Sequence, residues 1–533
     1  MRDQRSIAPE AQTQANTVRT AVFNLLRSFG IDTIFGNPGS TELPMFRDFP
    51  EDFQYILGLQ ESTVVGMADG YALASRNAGF VNLHSAVGVG HAMGNIFTAY
   101  KNCTPLVITA GQQARSILPY EPFLFSQQAA ELPKPYVKWS CEPARAQDVP
   151  AAIARAYYTA MQAPCGPVLV SVPVDDWDAP AEPLPPRRVS RSISADPEEL
   201  KIVADALRAC ARPAIVVGAG VDRDGAWNQT VQLAERHNAL VWVAPLSGRC
   251  SFPESHPLFA GFLPASRERI VDLLVGHDLV LALGAPAFTY HVEGFGPHIP
   301  AGSQLFQLVD DPTQAAWAPV GTAVVTGLRH GIAALLDDSA GVQRPAPAGR
   351  RPAPLVEIGA TITPALVMHT LAQLRPRDSI VVEESPSSRT IMQAHLPIDR
   401  PESFYACSSG GLGYAMPASV GVALAKKDRK VIALVGDGST MYATQALWSA
   451  AQLKLPITFI VLNNSRYEAL NSFAPVFELD KPVGTDLPGL DFVTIAKGHG
   501  CAAQRVSQPA GLKAALQAAL DSHEPTLLEI IVD

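Results

Sequence analysis

The sequence predicts an α/β protein made of parallel sheets, in which two similar α/β domains flank a third. Three observations predict it. Short apolar runs of strand length alternate with stretches of helical period, the rhythm of βαβ units. Two Pro- and Arg-rich segments, residues 181–188 and 345–354, have the composition of extended linkers and cut the chain into parts of similar size. A length of 533 residues exceeds one ordinary core and suits about three or four units. The expected domains are therefore 15–190, 191–353 and 354–533, after a flexible polar tail at 1–14.

In the first part the apolar runs are 33–35, 55–59, 80–83, 106–109 and 168–172, with helix-like stretches between them. The middle part opens on the run Ala214-Ile215-Val216-Val217 and the turn Gly218-Ala219-Gly220. That turn superficially resembles a dinucleotide fingerprint, but Arg223 stands where the third glycine belongs, so a structural turn is expected. Residues 279–286 form another run ending in a turn. The last part repeats the first part's rhythm at 379–382, 431–435, 458–462 and 527–532.

Composition narrows the function class. A hydrophobic fraction of 47% with 17% charged residues describes a compact, enzyme-like chain. The net charge of -9 is mild for this size and gives no nucleic-acid surface. Seven cysteines are dispersed without CxxC spacing, which argues against a disulfide framework or zinc site and for a reducing cytoplasm. The N-terminal stretch lacks an apolar targeting core, and no run approaches the ~18 apolar residues of a membrane span.

Chemistry concentrates at two strand ends in the last part. The run 431–435 leads into Gly436-Asp437-Gly438-Ser439, and the next run ends at Asn463-Asn464. Neighbouring parallel strands would deliver Asp437 and Asn464 to one carboxyl edge, where open α/β sheets bind ligands. Oxygen donors there suit a hard divalent cation bound to phosphate. Ala446, Leu447, Ala450, Ala451 and Leu453 continue at helical spacing until Pro456. The amides of Gly438 and Ser439 at that helix start could hold a diphosphate.

The GDG followed by NN resembles the signature of thiamine diphosphate-dependent enzymes of the decarboxylase and acetohydroxyacid synthase group. The resemblance implies the three-domain thiamine diphosphate-enzyme fold, with a pyrimidine-binding first domain and a diphosphate-binding third domain. It implies thiamine diphosphate held through Mg²⁺, or Ca²⁺, with Asp437, Asn464 and the carbonyl of Arg466 as ligands. Ser387 and Tyr467 would support the diphosphate. Leu412 would prop the cofactor in its bent form while the Gly410 carbonyl faces the aminopyrimidine. Glu61, at the end of the apolar run 55–59, would stand beside pyrimidine N1′ and promote cofactor deprotonation by acid-base catalysis.

Three further segments, Gly36-Asn37-Pro38-Gly39-Ser40, Asn82-Leu83-His84-Ser85 and Phe288-Thr289-Tyr290-His291, resemble the benzoylformate decarboxylase branch of that family. The similarity extends over nearly the whole chain and includes 48–53, 110–113 and 137–140. It implies that Ser40 orients a 2-keto acid, that His84 assists addition and product release, and that His291 delivers the proton after CO₂ loss. Histidine suits this work because small environmental effects move its charge change across neutral pH. His91, in the glycine-rich stretch 88–91, has no such support and is expected to be structural.

Leu124, Ala469, Leu470 and Phe473 fit the branch's substrate pocket. Ala406 replaces a larger residue and should enlarge that pocket, while Pro386 differs and Phe123 should narrow it elsewhere. Glu468 replaces the small residue expected after Tyr467. The resemblance thus implies non-oxidative decarboxylation of an aromatic or bulky 2-keto acid to an aldehyde and CO₂, by a homodimer or homotetramer with cofactor between subunits. Its alternative is carboligation of the acetolactate synthase type. A non-catalytic subunit, or an oxidoreductase resting on the Gly218-Ala219-Gly220 turn, is the weaker competitor.

Overall fold

The computed structural model describes residues 16–338, 341–342, 344–350 and 352–533; the tail expected at 1–14 lies outside the described residues. Three six-stranded sheets carry the fold. The first contains β1 (Thr33–Gly36), β2 (Gln54–Leu57), β3 (Gly79–Leu83), β4 (Leu106–Gln112), β5 (Ser140–Cys141) and β6 (Pro167–Pro173). The second contains β7 (Pro213–Val217), β8 (Leu240–Val243), β9 (Phe259–Phe262), β10 (Leu279–Leu283), β11 (Gln304–Val309) and β12 (Thr322–Val325). The third contains β13 (Ile380–Glu384), β14 (Phe404–Ala406), β15 (Val431–Gly436), β16 (Ile457–Asn463), β17 (Ala502–Val506) and β18 (Thr526–Ile531).

Every strand pair in these sheets is parallel. The first sheet runs β2-β1-β3-β4-β6-β5 and the third β14-β13-β15-β16-β18-β17, the same topology twice. The middle sheet runs β12-β11-β10-β7-β8-β9, the doubly wound order seen in dinucleotide-binding folds. Its glycine turn is nonetheless filled by protein: a Cβ on Gly220 would lie 2.7 Å from Gly284 Cα, and one on Gly218 would lie 2.5 Å from Ala285 Cβ. These glycines serve strand-to-turn packing.

All but one of the strands named from apolar runs are buried central ones, because a parallel strand covered on both faces reads as a continuous hydrophobic run; β2, named from 55–59, is an edge strand with one buried residue. In the outer two sheets β5, β14 and β17 escaped that reading; all three are edge strands, and two are only two or three residues long, so none needs such a run. In the middle sheet β8, β9, β11 and β12 escaped it as well, although β8 and β11 lie inside the sheet. One boundary differs in a way that matters: the run expected at 55–59 ends at Leu57, and Glu61 starts the helix Glu61–Ser75 after Gln60 caps it through Thr63 N at 3.0 Å.

That helix joins the outer two domains. It packs on the helix Ala415–Ala425 so closely that a Cβ on Gly70 would lie 2.1 Å from the Ala418 carbonyl oxygen, and one on Gly421 1.9 Å from that of Met67. Glycine is therefore obligatory at the crossing. One hydrophobic cluster runs from Phe35, Val64 and Met67 through Met416 and Val420 to Val435 and Val461.

Candidate active site

The third domain gathers oxygen donors at the carboxyl ends of β15 and β16. The register pairs Gly436 with Leu462, so the two chains leave the sheet side by side. Asp437 opens the short helix Asp437–Met441, where its Oδ1 accepts from Gly438 N at 2.7 Å and its Oδ2 from Arg466 N at 3.2 Å. Burial pushes this carboxyl up, and the two amides pull against it. Asn464 Oδ1 also accepts from Arg466 N, at 3.2 Å.

The two asparagines part company here. Asn463 turns into the core, donating to Glu529 Oε1 at 2.7 Å and accepting from Ser465 N at 2.9 Å. Asn464 alone remains beside Asp437. The following turn is fixed by Tyr467 N on Thr485 O and Leu487 N on Ser465 O, each at 2.8 Å. A Cβ on Gly438 would lie 2.3 Å from Tyr467 Cε1, so glycine makes room for the ring over the turn. Arg466 is folded back onto Glu468, through Nε to Oε2 at 2.6 Å and through its carbonyl to Glu468 N at 3.0 Å.

The donor set of one carboxylate, one amide oxygen and one backbone carbonyl is hard and oxygen-only, which fits Mg²⁺ or Ca²⁺ on a diphosphate. Among the described residues there is no cluster of three His, Cys, Asp or Glu side chains of metal-binding type. Ser439 is buried in the same short helix, and Ser387 lies half-buried just past β13, next to β15. The Gly410–Leu412 loop stands nearby in sequence from β14, with Gly410 exposed and Leu412 half-buried. Two groups missed by sequence reasoning hold it. Ser409 Oγ accepts from Gly411 N at 3.0 Å and contacts Thr98 Oγ1 at 2.8 Å. Buried Glu384 accepts from the amides of Gly413, Tyr414 and Ala415 at 2.6, 2.7 and 2.6 Å; burial pushes its carboxyl up to about 7.

The first domain gathers a second set at the carboxyl ends of β1 and β3. Ser40 is exposed in the turn after β1. Asn37, from the same turn, donates to Glu61 Oε1 at 3.3 Å. His84 immediately precedes the helix Ser85–Asn102, with its Nδ1 2.8 Å from Glu42 Oε2 and 3.1 Å from Thr41 Oγ1. Glu42 is itself buried, and accepts from Gly39 N at 2.8 Å and from the Thr41 hydroxyl at 2.6 Å. A carboxylate on Nδ1 fixes that proton and leaves Nε2 as the available nitrogen.

His91, expected to be structural, has its Nδ1 3.1 Å from Glu61 Oε2. Glu42 and His91 are thus functional candidates that sequence reasoning missed. The available signals were weak, a carboxylate two residues after Ser40 and a histidine two helical turns after His84.

The pocket residues divide. Ala469, Leu470 and Phe473 lie on the helix Glu468–Phe473, which buries none of its residues fully. His291, from the middle domain, meets that helix edge-on at Phe473 with ring centroids 4.6 Å apart. Leu124 is half-buried in a loop whose neighbours are tied down by Gln112 Nε2 to Ser126 O at 2.8 Å and Gln113 Nε2 to Phe123 O at 2.7 Å. Ala406, expected to enlarge the substrate pocket, is 3% exposed in the hydrophobic core, its amide donating to Gly248 O at 2.8 Å. The middle-domain segment at Gly248 covers it.

Contacts thus join Ser40's turn, Glu61 and His84, and separately join Asp437, Asn464, Arg466 and Tyr467. Among the described residues no hydrogen bond or ring contact links the two sets within one chain.

Comparison with known proteins agrees with this architecture. The descriptions "Thiamine pyrophosphate enzyme, N-terminal TPP binding domain", "central domain" and "C-terminal TPP binding domain" match residues 16–130, 200–335 and 387–530. A protein from Pseudomonas aeruginosa described as benzoylformate decarboxylase is 46% identical over 519 residues, covering 96% of this chain and 98% of the relative. The crystal structure of benzoylformate decarboxylase from Polynucleobacter necessarius superposes with a TM-score of 0.95 at 39% identity, covering 97% of this chain and 98% of that one. A thiamine diphosphate-dependent 4-hydroxybenzoylformate decarboxylase from Rhodococcus jostii RHA1 gives 0.94 at 41% identity, with 97% and 99% covered. Sheet topology, strand-edge chemistry and similarity along the full length converge: the chain belongs to the thiamine pyrophosphate enzymes, among their 2-keto acid decarboxylases.

Proposed function

We propose that this decarboxylase acts on an aromatic or bulky 2-keto acid of the benzoylformate type, releasing an aldehyde and CO₂, with thiamine diphosphate anchored through Mg²⁺, which Ca²⁺ can replace. The observation that carries the substrate reading is the meeting of polar and apolar groups. His291 abuts Phe473 on an open helix that also carries Ala469 and Leu470, while His84, oriented by Glu42, stands beside the Ser40 turn. When bound, thiamine diphosphate supplies the nucleophilic carbon and the electron sink for CO₂ loss. Asp437, Asn464 and the Arg466 carbonyl would hold its metal, with Gly438, Ser439, Ser387 and Tyr467 at the diphosphate and Gly410 and Leu412 at the rings.

The remaining work falls to this chain's side chains. Ser40 donates to the substrate carboxylate, and Glu61 moves the proton needed at the cofactor's pyrimidine. His84 Nε2 serves the keto oxygen. His291 returns a proton to the carbon that CO₂ leaves, which favours aldehyde release over carboligation.

A dimer, or a tetramer of such dimers, places Glu61 of one copy opposite Asp437 of another. Support comes from exposed apolar side chains at Phe123, Leu470, Phe477 and Val483 that a second copy would cover. Seven free cysteines suit a reducing cytoplasm, and among the described residues no helix is long and apolar enough to cross a membrane.

The test is an aldehyde-coupled assay across aryl, branched and linear 2-keto acids. Turnover of benzoylformate that needs both cofactor and divalent metal is expected. Turnover restricted to other 2-keto acids would overturn the substrate assignment.

A further inference from the structure

We propose that His91 is a positioning and proton-exchange residue for the enclosed carboxyl group of Glu61. The inference rests on the assignment of Glu61 to the cofactor's pyrimidine and deepens it. The Glu61 side chain is 11% exposed and that of His91 58%, yet the two meet at 3.1 Å between Oε2 and Nδ1. They come from different helices, Glu61 from the first position of Glu61–Ser75 and His91 from the middle of Ser85–Asn102. Gly88 on the second helix lies against Glu61, since a Cβ there would make ordinary contact with Glu61 Cγ at 3.4 Å.

The other Glu61 oxygen is held by Asn37 Nδ2 at 3.3 Å. An amide N–H fixes orientation but exchanges no proton at ordinary pH, whereas an imidazole does both. Among the described residues, Glu61 is the one titratable group hydrogen-bonded to His91. On His91's own helix, His84 at the start is committed to Glu42, and Lys101 lies nearly three turns away. Asn37 on the turn after β1 is neutral. Across the Gly410–Tyr414 loop, Glu384 is committed to three backbone amides.

The pair can hold one proton in two ways, as a carboxylic acid facing bare Nδ1 or as a carboxylate facing Nδ1–H. Passing between them breaks one O–H bond and forms one N–H bond. The resulting imidazolium loses its Nε2 proton to water, so charge and protons balance without another reactant. Glu61 is thereby reset for each proton it exchanges with the pyrimidine. Asn37 and His91 together hold its carboxyl plane.

The experiment measures hydrogen–deuterium exchange at C2 of bound thiamine diphosphate by acid quench and proton NMR, together with calorimetric affinity of the protein for thiamine diphosphate with Mg²⁺. His91→Ala is expected to slow exchange about 100-fold, the scale of a misplaced catalytic group. Affinity should stay near that of the unaltered chain, and added imidazole should restore exchange. Unchanged exchange in His91→Ala, or slowed exchange that imidazole fails to restore, would overturn the proposal. Glu61→Gln is the control: if it exchanges normally, the underlying assignment of Glu61 fails instead.

Discussion

His84 has one ring nitrogen committed and one free, and the commitment is a buried charge. Glu42 accepts from Gly39 N and the Thr41 hydroxyl and still faces His84 Nδ1 at 2.8 Å. Glu42→Gln would keep the shape but lose the anion that fixes the tautomer; steady-state kinetics should show kcat falling about 100-fold, with KM changed far less. His291→Ala should separate the two products, slowing aldehyde release about 100-fold more than CO₂ formation in a stopped assay of both. Equal slowing would remove His291 from the protonation step. Ser40, His84 and His291 stand out in the sequence as candidates because each sits in a short motif of recognisable composition. Glu42 and His91 were not, because a lone carboxylate or imidazole acquires a role only when folding brings another element onto it. The Asn463-Asn464 pair was legible as a pair, but only the structure separates the core residue from the site residue.

The helices Glu61–Ser75 and Ala415–Ala425 show how elements hold the site. Their glycine crossing fixes Glu61 at one helix start and the Gly410–Leu412 loop just before the other. Individual strands were readable from their apolar runs, whereas this crossing was not: Gly66, Gly70 and Gly421 resemble ordinary weak helix residues until a partner backbone fills their space. The same interface buries Asp69, whose Oδ1 accepts from Tyr414 at 3.3 Å while Oδ2 has no hydrogen-bond partner. Burial pushes its carboxyl from 3.8 up to about 7. The sign follows from the unfolded chain ionising first: stability from this group is complete below pH about 4 and falls as pH rises to about 7. Asp69→Asn should therefore match the unaltered protein in thermal melts near pH 4. By pH 8 it should be more stable, on the order of 3 kcal/mol. A difference that is the same at both pH values would contradict ionisation as the cause.

At the scale of the molecule, Asp222 is where the three domains meet. Its carboxylate accepts from Arg249 Nη1 at 2.9 Å within the middle domain and from Glu402 N of the third domain at 3.0 Å. Its carbonyl accepts from Arg76 Nη2 of the first domain at 3.1 Å. Arg76 also pairs with Glu402, Lys426 reaches Glu402 at 2.9 Å, and Arg249 lies over the Tyr405 ring at 5.2 Å. Both Asp222 and Arg249 are buried. Asp222 lies in the short helix Ala219–Arg223 that the fingerprint-like Gly218-Ala219-Gly220 turn opens, so a segment suggestive of a cofactor site instead anchors the middle domain. That anchorage matters for chemistry because His291 reaches Phe473 only while the middle and third domains stay docked. Asp222→Ala leaves the Arg249 charge buried without its partner, which should cost about 3–5 kcal/mol. Asp222→Asn, retaining an acceptor oxygen, should lose less. Differential scanning calorimetry should show the alanine variant's main transition lowered and the middle domain unfolding ahead of the rest. Aldehyde release should suffer more than CO₂ formation, as for His291→Ala. A single transition at the unaltered midpoint would instead mean that the helix crossing and interdomain apolar contacts hold the three domains without this hub.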